Sequence, residues 1–165
     1  MRVLAIDPGT LHMGYGLIDD INGDIRMVEC GILTLPQSTP LEKRLQRFYV
    51  ELVDIINSFC PDEMAVEEPF VALNARSALA LGRSQAVAIV AAAGKKLPVF
   101  RYTPTQVKQQ VTNYGRSSKE QVEAMVKLQL NLLALPQPSD AADALAVGLC
   151  HLQQKRLNSL ISKVR

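Results

Sequence analysis

Residues 3–6 are Val-Leu-Ala-Ile, an uninterrupted apolar run that stops at Asp7-Pro8-Gly9. A run this short, ended by a Pro-Gly turn, reads as a buried strand. The carboxylate at its tip constrains whatever surrounds it, because a charge buried without a partner costs several kcal/mol. Three partners would satisfy Asp7: a basic side chain, the turn it could cap, or a cation held jointly with other carboxylates.

The rest of the chain supplies an α/β pattern. "GYGLID" (14–19) reads as a second strand, "INGD" carries the Asn-Gly hairpin signal, and "IRMVECGILTL" (25–35) is the third strand of a meander. Thr39-Pro40-Leu41-Glu42 has the form of a capping box with proline at the first helical position. The helix it opens carries Leu41, Leu45, Phe48, Leu52, Ile55 and Phe59 on one face. "MAVE" (64–67) is a short buried strand, residues 74–93 an Ala-rich helix stopped by Gly94, and "PVFRY" (98–102) a fifth strand. Two more boxes, Thr103 with Gln106 and Ser117 with Glu120, each open a helix, and a last helix runs from about Asp140. The order predicts a mixed five-stranded sheet flanked by helices, three antiparallel strands being joined by helical crossovers to the others. The helix over 74–93 is apolar nearly all round in its second half, which predicts burial in a core or beneath a partner, with Ala88 or Val90 at a dimer contact.

One domain over 1–165 is expected, with a basic C-terminal tail from about 155. Three scattered cysteines, Cys30, Cys60 and Cys150, suit a reducing compartment and lack metal-site spacing. No secretory signal or long uncharged apolar span is read, so a soluble cytoplasmic protein is expected. Net charge is only +2, yet residues 1–68 hold twelve acidic and five basic side chains, while 69–119 hold eight basic and none acidic. A segment so one-sided suits a polyanion partner, although a solvated surface gives the same pattern.

Further carboxylates end apolar elements. Glu67 closes "MAVE" as Asp7 closes the first strand, and Asp140 and Asp143 stand three apart on one face of a helix start. Asp140 and Asp143 also suit the helix dipole, and Glu67 and Glu68 could be surface acids. Together, four carboxylates from two strand ends and one helix start resemble the ligand set of a two-Mg²⁺ phosphodiester site. On that reading the partner of Asp7 is a metal.

The ordered set "IDPGT", "GYG", "AVEEPF", "NARSALALGRSQAVAIVAA", "PVFRYTPTQVKQQV", "SSKEQVEAMV" and "PSDAADALAVGLCH" resembles the bacterial RuvC Holliday junction resolvases from about Met1 to His151. The resemblance implies a ribonuclease H-like fold and a homodimer that nicks two opposed strands of four-way junction DNA, leaving 5′-phosphate and 3′-hydroxyl ends. It implies two Mg²⁺ ions per site, with Mn²⁺ as a substitute, and a branch-migration motor complex, RuvA and RuvB, as partner. The family's acidic residues map onto Asp7, Glu67, Asp140 and Asp143, and its DNA-contacting lysines onto Lys108 and Lys119. Its junction-stacking aromatic maps onto Phe70, for which core packing is the plainer alternative. Arg76 and Arg116 join the expected DNA face through the basic stretch they belong to. The pair Glu67-Glu68 leaves the ligand ambiguous, and strand alternation favours Glu67. His12 and His151 each could act as a base, but lone histidines are more often structural.

Other likenesses are weaker. "AIDPGT" also resembles the phosphate loop of actin-like and Hsp70-like ATPases, which need two lobes where this chain supplies one. A ribonuclease H-like nuclease family of ribosomal RNA processing shares the Asp-Pro-Gly strand but lacks "SDAADALA". A non-catalytic junction scaffold would not need all four carboxylates.

Overall fold

The computed structural model describes residues 1–69 and 75–164. In chain order these form β1 (Arg2–Asp7), β2 (His12–Ile21), β3 (Asp24–Thr34), α1 (Leu41–Phe59), β4 (Glu63–Glu67), α2 (Ala75–Gly94), β5 (Val99–Tyr102), α3 (Pro104–Thr112), α4 (Lys119–Gln129) and α5 (Ser139–Val164). The sheet order is β3-β2-β1-β4-β5. β1–β2 and β2–β3 pair antiparallel, and β1–β4 and β4–β5 pair parallel, giving the mixed sheet expected from the sequence. Asn22 and Gly23 turn the first hairpin with φ of 54° and 97°, the two positive values that a two-residue turn of this twist requires.

Two cores flank the sheet, and strand alternation decides which residues enter each. Leu4, Ile6, Met64 and Val66 face α1 and α2, meeting Phe48, Leu52, Ile56, Ala88 and Ala92. Val3, Ala5 and Ala65 face the other way, towards Val107, Val122, Val126 and the long α5. The buried face of α1 is therefore centred on Phe48, Leu52 and Ile56, with Ile55 and Phe59 only partly buried.

The helix wrapped on all sides is α5, not α2. Along α5 every residue from Ala144 to Leu152 is buried, between the sheet and α3–α4. In α2 only Ser84, Ala88, Ala91 and Ala92 are buried. Ala88 packs into the protein's own core, while Leu79 and Val90 are 59% and 57% exposed, so of the two expected contact residues only Val90 faces outward. By length and composition α2 is apolar enough to cross a membrane, but its buried Ala88, Ala91 and Ala92 pack onto the α1 side of the sheet.

Helix ends correct several sequence expectations. Pro40, not Thr39, is the N-cap of α1, and no side chain caps it, because the proline side chain carries no acceptor; the Thr39 N–H turns onto the Pro36 carbonyl. The Thr103–Gln106 box forms, whereas the next box is Ser118 with Gln121, one residue on from Ser117 and Glu120. Gly94 does not end α2 by turning left-handed. Lys96 takes that conformation at φ 56°, and Leu97 N–H bonds the Ala92 carbonyl in a Schellman closure. Residues 155–164 continue α5 as helix, with Lys155 paired to Glu63 and Arg156 to Asp20.

Candidate active site

Alternation along β1 and β4 carries two carboxylates to one place. Asp7 has the parity of Val3 and Ala5, and Glu67 that of Ala65, so both point to the α5 side. Ile6 pairs with Val66, which sets Asp7 and Glu67 side by side at the ends of neighbouring parallel strands. Glu68 takes the opposite parity and lies 3.8 Å from Arg101.

The other two carboxylates arrive from above on the first turns of α5. Gly14, the register partner of Asp7, makes that approach possible: a Cβ there would lie 2.1 Å from the Asp140 carbonyl oxygen. Gly16 repeats the device one pleat further, where a Cβ would lie 2.7 Å from Leu145. The "GYG" pair thus lowers α5 onto the sheet and sets how near Asp140 and Asp143 stand to Asp7.

Asp7, Glu67 and Asp143 line a cleft of about 240 Å³ with Lys108, Lys119, Pro104, Val107, Val122 and Ala146. Asp140 lines an adjoining cleft of about 360 Å³, which also includes Asp7 and Glu67. Burial, then the charges of Asp143 and Asp140, push the Asp7 carboxyl up to about 7, against the opposing pull of Lys119. Glu67 rises to about 8 from burial, then Asp7 and Asp143, with Lys108 opposing. Two adjacent carboxyls that resist ionising are what like charges crowded at low dielectric produce. Lys119 donates to Asp143 at 2.7 Å and to the Ser139 hydroxyl at 3.1 Å.

The oxygen-only donor set suits a hard cation rather than zinc. No three His, Cys, Asp or Glu side chains among the described residues close into a ready-made cage. An ion that keeps several waters and draws other ligands from a substrate phosphate does not need one. The residues therefore fit Mg²⁺.

The remaining expected residues separate. Lys108 is half-buried in the cleft wall rather than fully solvent-facing, and Lys119, though exposed, is ion-paired. Arg116 is exposed on the loop between α3 and α4, and Arg76 lies in the first turn of α2. Phe70 lies outside the described residues. His12 is exposed, with Nδ1 3.2 Å from the Thr34 hydroxyl. His151 is fully buried towards the Glu63 end of β4, where Nε2 meets Glu63 and Nδ1 meets the Tyr102 hydroxyl, each at 2.7 Å. Burial lowers its pKa against the pull of Glu63. An acceptor-only carboxylate fixes the proton of the neutral ring on Nε2, and Tyr102 donates to Nδ1. Sequence reasoning missed Gly14 and Ser139; a glycine placed opposite Asp7 in the meander was the available signal for the first.

The family model for crossover junction endodeoxyribonuclease RuvC matches residues 3–151. The crossover junction endodeoxyribonuclease RuvC of Dehalococcoides mccartyi is 49% identical over 163 residues, 99% of this chain and 98% of that protein. That of Desulforamulus reducens is 47% identical over 153 residues, 93% of this chain and 94% of that protein. The structure of Thermus thermophilus RuvC in complex with Holliday junction substrate superposes with a TM-score of 0.90 at 33% identity, covering 96% of each chain. With its ribonuclease H-like fold and these full-length matches, the chain belongs to the RuvC family of crossover junction endodeoxyribonucleases.

Proposed function

We propose that this nuclease resolves four-way DNA junctions by Mg²⁺-dependent nicking, with Asp7, Glu67, Asp140 and Asp143 as its metal-holding residues. The observation that carries the reading is the meeting of four carboxylates from two strand ends and one helix start around adjoining clefts, with Asp7 and Glu67 held near neutral pKa. Mg²⁺ held by these residues would supply an activated water and charge stabilisation for the attacking and leaving oxygens. Lys108 and Lys119, both lining the cleft, would neutralise backbone phosphates, Lys119 by exchanging its contact with Asp143 for one to DNA. Arg116 and Arg76 extend the basic face, and Phe70, next to Pro69, is proposed as the stacking aromatic.

A homodimer through α2 accompanies this reading. Leu79, Ala86, Val90 and Ala93 are exposed and recur at helical spacing, so together with exposed Arg83 they form one mainly apolar stripe, crossed by a single cation, that faces away from the core. A four-way junction with two-fold symmetry calls for an isologous pair that presents two sites to opposed strands. A cytoplasmic location, alongside the branch-migration motor that the family resemblance implies, belongs to the same proposal.

The test compares a labelled four-way junction with linear duplex of the same sequence, with and without Mg²⁺. The expected result is paired nicks in the junction alone, dependent on Mg²⁺, with Asp143→Asn binding but not cutting. Equal cutting of linear duplex, or normal cutting by Asp143→Asn, overturns the assignment.

A further inference from the structure

The loop between α3 and α4 fixes one residue firmly and leaves its side chain in solvent. Tyr114 N–H donates to the Thr112 hydroxyl at 3.2 Å, and its carbonyl accepts from the Ser117 N–H at 3.1 Å and the Ser117 hydroxyl at 2.8 Å. The two hydroxyls are 2.6 Å apart, and Ser117 is only 3% exposed. Asn113, in the left-handed conformation at φ 62°, has its carbonyl held by Gln109 at 3.1 Å. Against this rigid frame the Tyr114 side chain is 58% exposed, and its phenol oxygen has no hydrogen bond among the described residues.

The same frame joins the two cleft lysines. The Thr112 hydroxyl reaches the Lys108 carbonyl at 2.8 Å, and Ser117 adjoins Ser118, the N-cap of the helix that begins with Lys119. Exposed Arg116 lies two residues beyond the ring. An exposed aromatic on a fixed backbone, flanked along the chain by Lys108, Arg116 and Lys119, has the composition of a nucleobase platform. Resting on the DNA-binding reading above, we infer that Tyr114 stacks on a nucleobase of the bound junction, at a contact separate from the residue after Pro69. The hydroxyl frame lowers the ordering cost of this contact, since the backbone is already fixed and only the side-chain torsions remain to be ordered.

Wild type, Tyr114→Phe and Tyr114→Ser are compared on four-way junctions carrying 2-aminopurine in turn at each nucleotide flanking the crossover, in Mg²⁺-free buffer. Melting temperature and sedimentation serve as controls, and an exposed side chain should leave both unchanged. The expected result is 2-aminopurine quenching at one position by wild type and by Tyr114→Phe. Tyr114→Ser should lose that quenching and bind about tenfold more weakly, within the range seen when a stacking aromatic is removed. The salt dependence of binding should not change, because no phosphate contact is lost. Wild-type quenching and affinity in Tyr114→Ser overturns the inference, as does a Tyr114→Phe protein that behaves like Tyr114→Ser. A wild-type protein that fails to bind the junction while remaining folded overturns both this inference and the function it rests on.

Discussion

Asp7→Asn should stabilise the metal-free protein, and more so as the pH rises. The folded chain holds a proton on Asp7 up to about 7, whereas the unfolded chain releases it in the ordinary aspartate range near 4. Between those values folding takes up a proton, so stability falls with rising pH; the penalty is absent below about 4 and complete above about 7. At about 1.4 kcal/mol per pH unit the full interval amounts to roughly 4 kcal/mol. Asp7 is only partly buried and opens onto a cleft, so about 2 kcal/mol is the expected realised effect. Asparagine keeps the shape and carries no charge at any pH. For a chain of this length, about 2 kcal/mol corresponds to roughly 4–8 °C in Tm. The assay is urea unfolding in the presence of chelator, for wild type and variant, at about pH 4.5 and about pH 8.5. Asp19, Asp20 and Glu63, held below the ordinary range by basic partners and titrating in the opposite sense, cancel in the wild-type-minus-variant difference. A difference that stays constant across the two pH values, or a variant no more stable at the alkaline one, refutes the crowding described for the cleft.

Gly14→Ala should leave a folded protein with nicking reduced by about a hundredfold or more, because the new Cβ must push the first turn of α5, with Asp140, away from Asp7; circular dichroism and single-turnover cleavage check it. Glu67→Gln should stop nicking while Glu68→Gln stays within about threefold of wild type, since the two residues take opposite parities and Glu68 lies beside Arg101; cleavage of one junction by both proteins decides this. Lys96→Gly should stabilise the fold by about 0.5–1 kcal/mol by relieving a left-handed lysine at the Schellman closure of α2, read as a shift of the urea midpoint at constant slope.

Much of the site was legible because its first half is local. An apolar run ending in Asp7 and another ending in Glu67 announce themselves, and period two chooses Glu67 over Glu68. The second half depends on distance in space. Nothing in "SSKEQV" says that Lys119 will donate to Asp143, 24 residues on, and nothing in "GYG" says which helix needs the space above it. Which face of α2 is covered by the protein itself was illegible for a related reason. Alanine is apolar on every face, so a run of it does not reveal which side meets the protein's own core, whereas α5 became central only once α3 and α4 closed over it. Lys96 misled because glycine two residues earlier was the obvious terminator, and the Ala92 carbonyl took its partner further along.

β4 and α5 run as two rails of matched length. Four strand steps from Glu63 to Glu67 cover about 13 Å, and eight helical residues from Asp143 to His151 cover about 12 Å. At one end stand the mutually repelling carboxylates; at the other, Glu63 is gripped by both His151 and Lys155. A beam clamped at its far end can yield by a fraction of a turn at its near end, but it does not leave the sheet while the clamp holds. Heat should therefore find no partial route to inactivity: loss of cutting and loss of fold should coincide in temperature, and the β4 and α5 amides between the two ends should exchange hydrogen only when the whole sheet lets go.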